Sequence, residues 1–324
     1  MIKVILHIGR HKTGTSSLQR FFYENPELLW SHGLVYPSIY LKRIAHHNLS
    51  EPFRPGEFNK LTNREKSSLI ADVRSELYAN LNQKDVVYLF SSEAFQNVDP
   101  MIIRQIFDPN IFEVVIVCYF RDQISYLASA YNQRVHATEY SGTIYDYYRK
   151  YFRANYYKFA RIWNDAFDSV VYRKYERSSL YRSDLIQDFF KSVLNVELLE
   201  GGPPKDSNPS LTEKFVYIKR KINELTANKE ISLPRRRRSI YLGLAALSEQ
   251  HGGEKYSVPP LLALLVFLQY RVSNKKFFDC FMDDSKGFSL KPLWASVKKT
   301  GKQRSVTSKE INEVLAALED DRNN

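Results

Sequence analysis

The feature that most constrains this chain is its opening stretch, where an apolar run passes through a glycine-bounded loop straight into a helical pattern. Ile2-Lys3-Val4-Ile5-Leu6-His7-Ile8 is apolar and β-branched, the composition of a buried strand. Leu18, Phe21 and Phe22 then recur at helical spacing. Between the two lies Gly9-Arg10-His11-Lys12-Thr13-Gly14-Thr15-Ser16-Ser17. Such a loop is suited to cradle an anion. Glycines permit tight turns, loop N–H groups converge on oxygens, and the helix N-terminus adds partial positive charge. Lys12, Thr13, Thr15, Ser16 and Ser17 add further donors. A bare Gly-x4-Gly is an ordinary turn, but here strand, lysine and hydroxyl cluster coincide on one loop.

The rest of the first 200 residues repeats the strand-then-helix alternation. Leu34 to Pro37 reads as a brief extended piece, 38–60 as a long loop carrying His46 and His47, and Asn63 to Asn82 as an amphipathic helix. Asp85 to Phe90 and Phe112 to Phe120 are further buried-strand runs, with a short helix from Pro100 to Phe107 between them. Helices are expected over Gln123 to His136, Ile144 to Phe167 and Arg182 to Leu194, and a strand over Asp168 to Tyr172. The alternation predicts an α/β fold of three layers with a mostly parallel central sheet. Gly201-Gly202-Pro203-Pro204 is the strongest break, and beyond it the pattern is helical only, at Leu211 to Ala227, Pro234 to Gln250 and Pro259 to Phe278. One domain is expected over 1–324, with an α/β core at 1–200, a helical C-terminal elaboration at 205–297 and a polar tail at 298–324, where Lys309 to Leu318 looks helical.

A Walker A loop places its lysine directly after the second glycine, and Thr15 holds that position here. The loop lysine, Lys12, comes two residues before Gly14 instead. The run His7-Ile8-Gly9-Arg10-His11-Lys12-Thr13-Gly14-Thr15-Ser16-Ser17 resembles the 5′-phosphosulfate loop of the PAPS-dependent sulfotransferases, especially their bacterial and carbohydrate-type members. A second motif lies about a hundred residues on: Arg121 ends the Phe112 to Phe120 run, and Ser129 follows eight residues later. In that family an Arg and a Ser so placed bind the 3′-phosphate of PAPS. The chemistry is sound, since a guanidinium fork takes two phosphate oxygens and a hydroxyl donates a third bond. The resemblance implies a P-loop NTPase-like sulfotransferase fold, PAPS as co-substrate without a metal, and Arg10 to Ser17 with Arg121 and Ser129 as its binding residues.

Sulfuryl transfer to an alcohol needs a base for the acceptor and charge relief on the departing oxygen. Glu93 falls just past the strand that precedes the Arg121 strand in sequence, at the strand end where open α/β sheets bind ligands. It is the first candidate for the base, with His47 and then His46 as competitors. By the resemblance Lys12 takes the leaving-group role, and His11 is placed as a contact to phosphate or acceptor. Arg235-Arg236-Arg237-Arg238 follows Pro234 at a helix start, where cations oppose the helix dipole, which points to an anionic partner. An acidic glycan, an anionic membrane contacted peripherally and the PAPS phosphates are the options there, with nucleic acid a lesser one because no nucleic-acid fold accompanies the run. The expected function is sulfuryl transfer from PAPS to a hydroxyl of a carbohydrate or glycolipid. The rivals are a P-loop kinase or nucleotide hydrolase, and a non-catalytic anion-binding module.

Composition adds only the sign of the partner and the compartment. The net charge of +11 favours polyanions. Tyr and Phe number 22 and 20, which suits a ring-lined acceptor cleft and a large core equally. Two cysteines, Cys118 in a strand and Cys280 in a helix, make neither a disulfide framework nor a zinc cluster. With no leader before the first strand and no apolar run of membrane-spanning length, a cytoplasmic protein is expected.

Overall fold

The computed structural model describes residues 1–10, 12–81, 83, 85–198, 210–230, 237–282, 286–298 and 307–320, with backbone alone at 237–239 and 319–320. The protein is α/β. Its sheet, among the described residues, comprises β1 (Ile2–His7), β2 (Leu34–Val35), β3 (Val87–Ser91), β4 (Phe112–Phe120) and β5 (Ser169–Lys174). They lie in the order β2-β3-β1-β4-β5, and every pairing is parallel. The strands are nearly all apolar because helices cover both faces. On one face Ile5, Leu89, Val117 and Tyr119 pack with Leu18, Phe21 and Phe22 of the helix Thr15–Glu24 and with Phe189 and Phe190 of the helix Leu185–Leu194. On the other, the Phe120 ring meets Tyr156 and Phe159 of the helix Tyr156–Ala166.

The strand order fixes where a ligand can sit. The chain places β3 on one side of β1 and then crosses to lay β4 on the other, so the topology reverses at β1. The crevice beyond the carboxyl ends of strands at such a reversal is the usual ligand position in open α/β sheets. The three sequence-stretch candidates, the loop after β1, Glu93 after β3 and Arg121 after β4, occupy those three adjacent ends.

The described residues divide into two compact units that interleave along the chain. One holds the sheet and comprises Met1–Arg121, Asn155–Ser207 and Ser273–Gly287; the other comprises Asp122–Ala154, Asn208–Val272 and Phe288–Asn324. The second is helical, with Gln123–Ala137, Ile144–Tyr151 and Glu213–Ala227 among its elements. Inside it the buried Asn223 amide donates to the carbonyls of Val135, Thr138 and Tyr140, which closes the C-terminal end of the helix Gln123–Ala137.

Several element extents differ from the sequence expectation. Ile144 to Phe167 forms two helices, Ile144–Tyr151 and Tyr156–Ala166, because Phe152 is buried in extended backbone and the Asn155 side chain caps the second helix at the Lys158 N–H. The 38–60 loop contains single helical turns at His47–Ser50 and Pro55–Phe58. Pro26–Ser31 and Lys291–Lys298 are short helices where none was expected. The Gly201 to Pro204 break and Arg235 and Arg236 fall outside the described residues; Arg237 and Arg238 open the helix Arg237–His251.

One buried ion pair ties β5 to the helix behind it. Asp188 is fully buried and accepts from Arg173 Nε at 3.1 Å and Nη2 at 2.5 Å, from the Tyr119 hydroxyl at 2.9 Å and from the Tyr181 N–H at 2.9 Å. Removing the charge leaves a guanidinium and a buried phenol facing a group that cannot satisfy both. We expect Asp188→Asn to lower the free energy of unfolding by about 3 kcal/mol, since breaking one side of a buried pair typically costs that much. Urea titration measures it, and a change inside the surface-mutation range of about 0.5 kcal/mol would contradict the pairing.

Candidate functional site

The loop after β1 is shaped by backbone that most residues avoid. Lys12 has φ +70° and Gly14 has φ +76°, so the chain turns twice through the left-handed region before Thr15 starts the helix. At Gly14 a methyl group would also stand 2.9 Å from the Tyr175 ring and closer still to Leu185. Only glycine meets both demands there. The hydroxyls of Thr13 and Thr15 turn inward and donate to the Arg10 carbonyl, at 2.6 and 3.4 Å, so they brace the loop rather than line it. The Arg10 guanidinium lies over the rings of Phe159 and Tyr156, 4.9 and 5.3 Å from their centroids, on the far side of the sheet from Phe22. Ser16 and Ser17 stay partly exposed in the first helical turn, and His11 lies outside the described residues.

Arg121 reaches this loop from the neighbouring strand end. Its Nη1 donates to the Lys12 carbonyl at 3.4 Å, and its guanidinium stands 5.9 Å from the Tyr175 ring. Burial, and then the Arg121 charge, hold the Lys12 ammonium below the usual lysine range, while the Glu93 carboxylate pulls the other way. Two cations 109 residues apart in sequence are thus gathered on one turn beside a helix N-terminus, an arrangement that favours a bound anion. Ser129 stands half-buried in the helix Gln123–Ala137 of the second unit, whose first turn Asp122 caps by accepting from the Ser125 N–H at 2.8 Å.

On the β3 side, Glu93 and His47 are neighbours. His47 Nε2 lies 4.0 Å from Glu93 Oε1, and both side chains are about one-quarter exposed, at 26% and 24%. The other carboxylate oxygen, Oε2, accepts from Gln19 Nε2 at 3.1 Å, which anchors Glu93 to the helix that leaves the cradle. Ser50 Oγ donates to the His47 carbonyl at 3.1 Å and shares a 3.0 Å bond with Ser92 Oγ, which in turn is 2.7 Å from His47 Nδ1. Ser92 Oγ also accepts from the Ala94 N–H at 3.2 Å, so it links His47 to the start of the segment that carries Glu93. That chain of contacts orients the ring so that Nε2 is the nitrogen facing Glu93.

His46 is a different residue in all but name. It is fully buried, donates from Nε2 to the Pro37 carbonyl at 2.8 Å and accepts at Nδ1 from the Ser91 N–H at 3.1 Å. Both ring nitrogens are committed to backbone, and burial holds its pKa down to about 4. His7, at the end of β1, is also fully buried and held at about 4 by burial, with Glu93 acting in the opposite sense. Its Nδ1 bonds Ser91 Oγ at 2.8 Å, and the same oxygen accepts weakly from Gln19 Nε2 at 3.3 Å. The sequence reading did not single out Gln19, Ser50, Ser91, Ser92 or Tyr175. The signal for the first was its place one turn past the cradle; the rest carried none.

No family model matches the chain. Over 211 residues it is 30% identical to an uncharacterized protein of Archaeoglobus fulgidus, and that stretch covers 62% of this chain and 55% of the archaeal protein. The chain thus spans a little over half the length of that relative. Among the described residues, no helix is long and apolar enough to cross a membrane.

Proposed function

We propose that the protein transfers the sulfuryl group of PAPS to a hydroxyl of a carbohydrate or glycolipid acceptor. The observation that carries this reading is the 3.4 Å bond from Arg121 to the Lys12 carbonyl, which brings two separate motifs together. The residues present fit a doubly phosphorylated ligand: two cations, a left-handed turn that only glycine can complete at Gly14, and a helix N-terminus at Thr15. PAPS would supply the activated sulfuryl group, and the chain's own residues would do the rest. The Glu93–His47 pair takes the proton of the acceptor hydroxyl as its oxygen bonds to sulfur. The bridging S–O bond breaks, and the Lys12 ammonium stabilises the charge left on the phosphate oxygen. PAP leaves with that charge, and the acceptor leaves as a sulfate ester.

The direct test is calorimetric titration with PAP. Lys12→Ala and Arg121→Ala should each weaken binding by about tenfold or more, since charged hydrogen bonds are worth roughly 1.5–3 kcal/mol. The fold should survive in both, because neither side chain belongs to the core around β1 and β4. Wild-type affinity in either variant would remove the site assignment.

A further inference from the structure

The second unit carries an apolar surface that the chemistry above does not use. The helix Pro260–Phe281 has two apolar faces in its first three turns. Leu262, Ala263, Val266 and Tyr270 are buried. Leu261, Leu264, Leu265, Leu268 and Val272 are exposed, at 43 to 63%. These five recur at intervals of three and four and fall within an arc of about 100°, the width of a face that normally meets another surface. Single exposed leucines need no explanation, whereas a continuous stripe marks an interaction site.

The charges beside the stripe indicate what it meets. Over Pro260–Phe281 the charged residues are Arg271, Lys275, Lys276 and Asp279, all exposed; Lys275 pairs with Asp279 at 2.6 Å, and the helix keeps a net charge of +2. The same pattern returns at the helix Lys291–Lys298, which shares the second unit with the exposed leucines and Arg271. There Leu290, Trp294 and Val297 are exposed, Trp294 at 57%, and the charged residues of 288–298 are Lys291 and Lys298. Two elements therefore pair exposed aliphatic and indole side chains with a net excess of cations. A second copy of this chain would bring the same excess of cations to the contact, and the one carboxylate on these two helices, Asp279, is already paired with Lys275. An anionic bilayer receives both parts: acyl chains take the leucines, lipid phosphates take Lys and Arg, and an indole sits well at the boundary.

We propose that the exposed faces of Pro260–Phe281 and Lys291–Lys298 seat the protein on an anionic phospholipid surface, lying on it without crossing. Binding combines apolar insertion with charge attraction, so it should depend on lipid charge and fall with salt.

Vesicle co-sedimentation of the full chain tests this. Phosphatidylcholine vesicles containing phosphatidylglycerol should bind the protein, and pure phosphatidylcholine vesicles should bind it at least about tenfold less. Leu264→Gln with Leu268→Gln should weaken binding to the anionic vesicles by about tenfold, because it removes apolar surface that inserts. Fluorescence needs no destabilising change: brominated acyl chains should quench the wild-type protein, and the quenching should fall in Trp294→Phe. Absence of vesicle binding, equal binding to both vesicle types, or quenching unaltered by Trp294→Phe would overturn the proposal. So would a dimer in sedimentation velocity that the double Gln variant splits while its vesicle binding stays unchanged, which would make the stripe a contact between copies.

Discussion

Replacing Glu93 by Gln is expected to cut turnover by about 10²–10⁴ while leaving PAP affinity within a few-fold of wild type, the range that general base catalysis contributes. An alcohol is a weak nucleophile near neutral pH, so the acceptor proton needs a positioned receiver. Glu93 lies at the end of β3, next to the cradle strand, and Gln19 holds one of its oxygens at 3.1 Å. Gln keeps the shape and the Gln19 contact and removes the basicity. His47→Asn should lose a similar factor, because the imidazole is the group 4.0 Å from that carboxylate. Residues that act as a unit are not additive, so the double variant should be little worse than the poorer single one. Ser92→Ala separates positioning from chemistry: it frees the Nδ1 partner without touching the pair, and should shift the pH dependence of kcat more than KM. Single-turnover rates with PAPS and a hydroxylated acceptor give the numbers. If Glu93→Gln and His47→Asn both turn over normally, proton removal does not involve this pair.

The sheet was legible in the sequence because its strands are buried on both faces. A continuous run such as Phe112 to Phe120 has no solvent side to interrupt it, and the observed β4 has the same two ends. The single helix expected over Ile144 to Phe167 failed for a tertiary reason. Arg153-Ala154-Asn155 contains neither Gly nor Pro, and the chain breaks there where it passes from one compact unit to the other. For the site, the cradle and Arg121 could be read because each depends on a short, local pattern. The pairing of Glu93 with His47 could not, since 46 residues and a loop without periodicity separate them. Sequence alone placed His47 above His46 without a physical ground for the order. Their difference is burial: a fully enclosed ring with both nitrogens on backbone against one that is one-quarter exposed beside a carboxylate. The inward turn of the Thr13 and Thr15 hydroxyls was equally out of reach, because a donor's residue type does not say which acceptor it chooses.

Acid should unfold this protein through two histidines that take no part in binding protons when folded. Burial holds His7 and His46 at about 4, against an ordinary value of 6.5 that the unfolded chain recovers. Between those values the unfolded state carries protons on both rings that the folded state refuses. Stability is therefore fully retained above pH 6.5 and falls as pH drops through the window, levelling near 4 as the folded rings finally titrate. From pH 7 to pH 5 the two together should cost about 4 kcal/mol, and one alone about half of that. Carboxylates add to the loss below pH 5, so the upper part of the window isolates the imidazoles. His46→Gln lowers stability at every pH, because the ring packs on Tyr36 and Phe90. The informative quantity is the slope: urea midpoints of the variant between pH 7 and pH 5 should fall about half as steeply as those of the wild type. His7→Gln should give the same halving through an independent site. A wild-type stability that is flat from pH 7 to pH 5, or a slope untouched by both substitutions, would mean that these rings are reached by protons in the folded state.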